Sequence, residues 1–129
     1  MQLVEAINSN SAPQAIGPYS QAVRAGNLIF CSGQLGLDRT SGKLVSDDAA
    51  VQAETCLKNI EAVLKAAGSS LRNTVKTTIF LTNLQDFEKV NTVYGGFFVE
   101  TRPARSTVQV AALPRGAKVE IEAIAISGP

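Results

Sequence analysis

The sequence predicts an α+β domain in which two helices lie on one face of a β-sheet. Three observations carry this. Two stretches repeat apolar residues at helical spacing, several short runs alternate as strands do, and Gly, Pro and Asn punctuate the intervals between them. At 129 residues the chain is long enough to enclose one core. No internal repeat, low-complexity tract or interior linker divides it, so residues 1–129 read as a single domain.

Residues 1 to 15 mix short apolar and polar side chains and read as a first edge strand followed by a loop ending at Pro13. Ile16-Gly17-Pro18-Tyr19-Ser20 then turns the chain into Gln21-Ala22-Val23-Arg24-Ala25. Gly26-Asn27 has the chemistry of a two-residue hairpin turn into Leu28-Ile29-Phe30-Cys31-Ser32. A Gly-punctuated loop runs from Gly33 to Lys43, with Thr40-Ser41-Gly42 as a tight turn. Ser46, Asp47 or Asp48 can cap the first helix, whose face carries Ala53, Cys56, Leu57, Ile60, Leu64 and Ala67 and which stops at Gly68. Val75 to Leu81 reads as a strand. Asn83 can cap a second helix with Phe87, Val90, Tyr94, Phe97 and Phe98 on its buried face. Gly95 and Gly96 weaken that helix by about 1 kcal/mol each relative to alanine, so close packing is expected there. Strands at 106–110 and 118–126 close the chain. The order strand, strand, helix, strand, helix, strand, strand fits an α+β layer. The sheet face without helices then needs another cover, and a second subunit is the simplest one.

Formal net charge is +1, from 12 basic and 11 acidic residues, with no dense basic tract to attract a nucleic-acid backbone. Cys31 and Cys56 lie in apolar contexts without CxxC spacing and read as reduced packing residues. No apolar run has the length of a membrane span. A cytoplasmic location is the reading, and a mitochondrial one if an organelle presequence has been removed. The sequence holds no histidine, which excludes Ser-His-Asp and Cys-His triads and His-containing zinc sites. Acid–base chemistry then falls to Glu, Asp, Lys, Tyr or water.

The C-terminal segment carries the chemistry. Arg105 and Glu120 sit on two strands joined by a Pro/Gly turn around Pro114-Arg115-Gly116. With strand period two, Arg105, Thr107 and Gln109 share one face, and Glu120 and Glu122 lie opposite Val119, Ile121, Ala123 and Ala125. Charges on otherwise apolar strands are at the surface or paired in a site. On their own, an Arg and a Glu on facing strands read first as a structural ion pair.

The blocks Pro103-Ala104-Arg105-Ser106 through Val119-Glu120-Ile121, Ala15-Ile16-Gly17-Pro18-Tyr19-Ser20-Gln21, Ser32-Gly33-Gln34, Val75-Lys76-Thr77-Thr78 and Val90-Asn91-x-x-Tyr94 resemble those of the RidA family, the reactive-intermediate (enamine/imine) deaminases. The likeness covers nearly the whole chain. It implies a chorismate-mutase-like α+β fold with a mixed sheet, a homotrimer, and active sites between adjacent subunits. It also implies hydrolysis of 2-aminoacrylate-type enamines and their imines, such as 2-iminobutanoate and 2-iminopropanoate, to 2-keto acids and ammonia, with no cofactor and no metal. Carried over by position, Arg105 anchors the substrate carboxylate, Glu120 is the acid/base or water-orienting group, and Tyr19, Ser32, Gly33, Asn91 and Thr107 line the pocket. Relatives often have cysteine where Thr107 stands, so thiol chemistry is absent here while a hydroxyl remains to hydrogen-bond.

A guanidinium fork suits this task because an imino acid carries its carboxylate on the carbon that water must attack. For Glu120, Arg105 would lower the pKa and burial would raise it. Each residue also has a plainer reading. Tyr19 can be a packed turn aromatic, Asn91 a solvent-facing helix residue, Ser32-Gly33 a strand end, and Thr107 a strand former. Lys76 and Glu122 read as structural pairing, and Arg115 as a surface turn residue. Two other functions compete with imine hydrolysis. One is an endoribonuclease that inhibits translation, which the weak basic balance, absent histidine and 5% aromatic content argue against. The other is a non-catalytic regulatory protein binding small carboxylates.

Overall fold

Strand pairing decides the architecture of this computed structural model, which describes residues 3–128; Met1, Gln2 and Pro129 lie outside the described residues. Six strands, β1 (Val4–Ile7), β2 (Ala22–Ala25), β3 (Leu28–Leu35), β4 (Thr74–Leu81), β5 (Ala104–Gln109) and β6 (Val119–Ile126), form one sheet in the order β1-β2-β3-β6-β4-β5. Two helices, α1 (Ala49–Ala66) and α2 (Phe87–Phe97), cover one face. β4 and β5 are parallel and every other neighbouring pair is antiparallel. Parallel neighbours need a crossover, and α2 supplies it. The last strand, β6, inserts between β3 and β4 and so joins the two halves of the sheet.

The local signals account for most elements. Gly26 takes φ +62° in the hairpin turn, which brings Leu28 opposite Ala25. Of the three cap candidates, Asp48 caps α1, its side chain accepting from the Val51 N–H at 3.0 Å. Leu57, Ile60, Val63 and Leu64 are fully buried beneath that helix. Each such aliphatic side chain contributes roughly 1.5–3 kcal/mol. Past the Ala67 C-cap, Gly68 takes the left-handed φ of +77° that ends the helix. Asn83 caps, but its partner is the Gln85 N–H (2.9 Å) in a 3₁₀ turn, Leu84–Asp86, that leads into α2.

The two α2 glycines depart from expectation. A Cβ at Gly95 or Gly96 would meet nothing within 4 Å, so neither permits a close approach. The helix packs through Val90, Tyr94 and Phe98, and the glycines, next in line after Tyr94, turn away from that stripe.

Val119, Ile121, Ala123 and Ala125 of β6 and Thr77, Ile79 and Leu81 of β4 face the helices and are buried. Cys31 and Cys56 are buried free thiols; burial pushes Cys31 up to about 12 and raises Cys56 as well, in keeping with a packing role. The other face presents Phe30, Phe80, Val108, Glu120, Glu122, Ile124 and Ile126. Phe30, Val108 and Ile126 remain 39%, 42% and 44% exposed.

The register overturns one expectation from the sequence. The Pro/Gly turn between β5 and β6 exists, as a 3₁₀ turn at Pro114–Gly116, but the strands it links are not neighbours. β4 runs between them. Arg105 pairs with Thr77 of β4, and Glu120 with Phe80. Thr77 and Phe80 are three residues apart, an odd number, so Arg105 and Glu120 project from opposite faces of the sheet.

Candidate active site

The open face carries Glu120. Its neighbours in register are Leu35 on β3 and Phe80 on β4. β3 bulges between Cys31 and Gln34, which leaves Ser32 and Gly33 out of the ladder with β6. The bulge explains the glycine. A Cβ on Gly33 would lie 2.2 Å from Glu120 Oε2, so only glycine leaves the carboxylate its seat. The Ser32 hydroxyl donates to the Ser20 carbonyl at 2.6 Å and its N–H to the Gln21 carbonyl at 2.9 Å. Those bonds tie the bulge to the preceding loop. In that loop Gly17, at φ +121°, accepts from the Tyr19 N–H, and Tyr19 stands 55% exposed. Buried Gln21 secures the loop further, accepting from the Ser9 N–H and donating to the carbonyls of Ser9 and Pro13. Tyr19, Ser32, Gly33, Leu35, Arg115 and Glu120 thereby share a cleft of about 450 Å³.

Glu120 is half-buried there. Loss of water raises its pKa above the ordinary carboxylate value, and the nearby Glu122 raises it further. Of the two opposing influences foreseen from the sequence, only burial operates within the protomer.

Arg105 occupies the helix side. Its guanidinium lies 4.8 Å from the Tyr94 ring centroid and 5.6 Å from that of Phe87, and its Nη1 donates to Asn91 Oδ1 at 2.7 Å. Asn91 and Tyr94, three apart on α2, face the same way. The Tyr94 hydroxyl is held by Thr77 Oγ1 at 2.7 Å. Stacking and the Asn91 bond fix the plane of the fork. No carboxylate among the described residues pairs with Arg105, so its charge is available to an anion. Asn91, Tyr94, Gly95, Arg102, Pro103 and Arg105 line a second cleft of about 400 Å³.

The expected site residues therefore fall into two half-sites. One holds Tyr19, Ser32, Gly33 and Glu120; the other holds Asn91 and Arg105. Thr107 pairs with Ile79 on the Arg105 side; its hydroxyl is buried without a partner and lines neither cleft. The structural ion pair between Arg105 and Glu120 is not formed, because a sheet separates them. Nor is the Lys76–Glu122 pair: Lys76 Nζ donates to Ser106 Oγ at 2.9 Å instead, across the β4–β5 pairing. Arg115, read as a surface turn residue, lines the Glu120 cleft, and Tyr94, read as core, is also the platform for Arg105. The i, i+3 spacing of Asn91 and Tyr94 was the available signal for the second. For Arg115 no signal existed, since the folding of 13–37 over the turn is a tertiary event. A wider groove of about 600 Å³ beside the end of α2 is walled by Leu71, Phe97, Phe98 and Val99; it shares Phe98 with the Arg105 cleft and no lining residue with the Glu120 cleft.

Among the described residues no three His, Cys, Asp or Glu side chains cluster as metal ligands, and no helix is long and apolar enough to cross a membrane.

This fold, with an arginine on one sheet face and a glutamate seated on a glycine bulge on the other, defines a class of small single-domain α+β proteins with split polar clefts. The chain belongs to the RidA (YjgF-type) family: residues 9–127 match the family described as Endoribonuclease L-PSP. It is similar to the RutC family protein y4sK of Sinorhizobium fredii, 54% identical over 95% of this chain and 97% of that one. It is likewise 51% identical to the 2-iminobutanoate/2-iminopropanoate deaminase of Homo sapiens, over 95% of this chain and 90% of the relative. Among solved structures, E. coli TdcF with bound serine superposes with a TM-score of 0.91 at 44% identity, covering 96% and 99% of the two chains.

Proposed function

We propose that this protein hydrolyses 2-imino acids and their enamine tautomers, of the 2-aminoacrylate, 2-iminopropanoate and 2-iminobutanoate type, to 2-keto acids and ammonia. The sites form where the Arg105 half of one protomer meets the Glu120 half of the next, in a homotrimer. The observation that carries this reading is a stacked, oriented guanidinium with no carboxylate partner, separated by the sheet from an equally well-seated carboxyl group. Several near-full-length relatives bear the deaminase name, at 50–52% identity.

The chemistry follows from the residues. Arg105 grips the substrate carboxylate through charge-assisted bonds of roughly 1.5–3 kcal/mol each. That fixes the adjacent C=N carbon for attack. Water adds its oxygen to that carbon while Glu120 accepts one of its protons. Glu120 then returns the proton to the nitrogen, the carbon–nitrogen bond breaks, the carbinol oxygen stays on carbon as the keto group while its O–H proton passes to Glu120, and ammonia leaves. Burial raises the pKa of Glu120 above the ordinary carboxylate value, which makes it a better proton acceptor than a solvated glutamate. The iminium is already a good electrophile, so the scheme draws on no cofactor. Tyr19, Ser32, Gly33 and Asn91 shape the pocket. Buried reduced thiols suit a cytoplasmic setting.

RNA cleavage is the second reading, favoured by the family's description as an endoribonuclease. A formal charge of +1 and few aromatics give it little to bind with. The deciding experiment generates 2-aminoacrylate enzymatically from serine and follows its decay. Added protein should accelerate decay, and Arg105→Ala should lose about 10²-fold or more. Unchanged decay at saturating protein rejects the proposal.

A further inference from the structure

We infer that Arg115 is a specificity residue that adapts the Glu120 cleft to 2-imino acids whose side chain ends in a second carboxylate; this rests on the imine-hydrolysis reading of the same cleft. Arg115 takes φ +61°, alone among the described non-glycine residues in having a positive φ. L side chains other than Asn and Asp rarely adopt that conformation, and residues held in it cluster at functional sites. A turn that needed only the bend would be served by Gly or Asn. Gly116, the next residue, already supplies φ +68°.

The guanidinium is also held in place. Arg115 Nη1 donates to the Gly42 carbonyl at 3.0 Å, tying the turn to the loop before α1. That leaves the rest of the five-donor fork, and no carboxylate among the described residues pairs with it. Among the described residues, Arg115 is the one cation lining a cleft whose other walls include Ile16, Leu35, Leu37 and Pro114.

Charge matching points to the ligand class. An iminium with a neutral side chain is a zwitterion, which Arg105 and Glu120 already balance. Arg115 is then a surplus positive charge on the wall of the cleft, and a carboxylate at the far end of the side chain is its complement. Apolar residues in the lining shared by Glu120 and Arg115 suit the methylene carbon that would separate the two acid functions.

The test compares two imines with the assembled protein, one formed from serine and the other formed by oxidising aspartate. Wild type should hydrolyse both. Arg115→Gln should lower kcat/KM for the acidic imine about tenfold or more, chiefly through KM, and leave the neutral imine within about twofold. Arg115→Lys should recover part of the loss. Arg115→Gly should show the same selective loss while melting no lower than wild type, because glycine accepts this φ freely. Lys58→Ala, which removes an exposed charge from α1, should leave the ratio of the two imines unchanged. Equal losses on both imines, or an unchanged ratio in Arg115→Gln, would overturn the inference. Wild-type turnover of the neutral imine alone would overturn it while sparing imine hydrolysis itself; turnover of neither imine would reject both.

Discussion

Glu120 is a residue whose placement costs stability. Its carboxyl sits half-buried against Gly33 with Glu122 on the same face, and both burial and Glu122 raise its pKa. A raised folded-state value means that its contribution to stability is fully present below the ordinary glutamate value. That contribution is lost as pH rises through the raised value. Above that raised value the ionised group therefore works against the fold. Glu120→Gln should melt higher than wild type at pH 7, and the difference should shrink as the pH is lowered toward 4. The same variant should lose about 10²–10⁴-fold in imine hydrolysis. Melting curves across pH, run beside the turnover assay, check both halves. A variant less stable than wild type at pH 7 would show that the carboxylate has a stabilising partner.

At the scale of elements, the helices were readable and the sheet's register was not. The α1 stripe from Ala53 to Leu64, the cap region before it and Gly68 after it are local signals, and local physics suffices for them. The insertion of β6 between β3 and β4 depends on contacts distant in the chain, so the face relation of Arg105 to Glu120 was beyond any periodicity. Family likeness offered Tyr19, Ser32, Gly33, Asn91, Thr107, Arg105 and Glu120 as candidates, but neither their division between two sheet faces nor the nearness of Tyr94 and Arg115 could be read from it. Buried glutamines were equally illegible. Gln52, 1% exposed, accepts from the Lys118 N–H at 2.8 Å and donates to the Ser46 carbonyl at 2.8 Å, locking α1 to the entry of β6. Gly36, just past β3, makes that contact possible, since a Cβ there would lie 2.7 Å from Gln52 Cα and 2.8 Å from its carbonyl oxygen. Backbone cannot step aside as a side-chain tip can. Gly36→Ala should therefore destabilise by about 1–3 kcal/mol through overpacking, read as a lower denaturant midpoint. An unchanged midpoint would mean that α1 shifts freely on the sheet.

One protomer leaves an apolar sheet face uncovered. Phe30, Val108 and Ile126 are exposed on the sheet face that no helix covers, and each protomer holds two half-sites on opposite sides of its sheet. A homotrimer with the face buried and unlike half-sites joined resolves both conditions, and its mass should be three times that of the 13.6 kDa chain. Complementation distinguishes this arrangement from a site built within one chain. Arg105→Ala keeps a sound Glu120 half, and Glu120→Gln keeps a sound Arg105 half. Each variant alone should be nearly inactive. Co-expressed in equal amounts, they should assemble at random, so that about a quarter of the interfaces join an intact Arg105 to an intact Glu120. Activity should return to about that fraction of wild type, with unchanged KM because the restored sites are native. If mixed trimers are demonstrated by mass and activity does not return, both groups act from the same protomer, and a sheet-spanning rearrangement would be needed to bring them together.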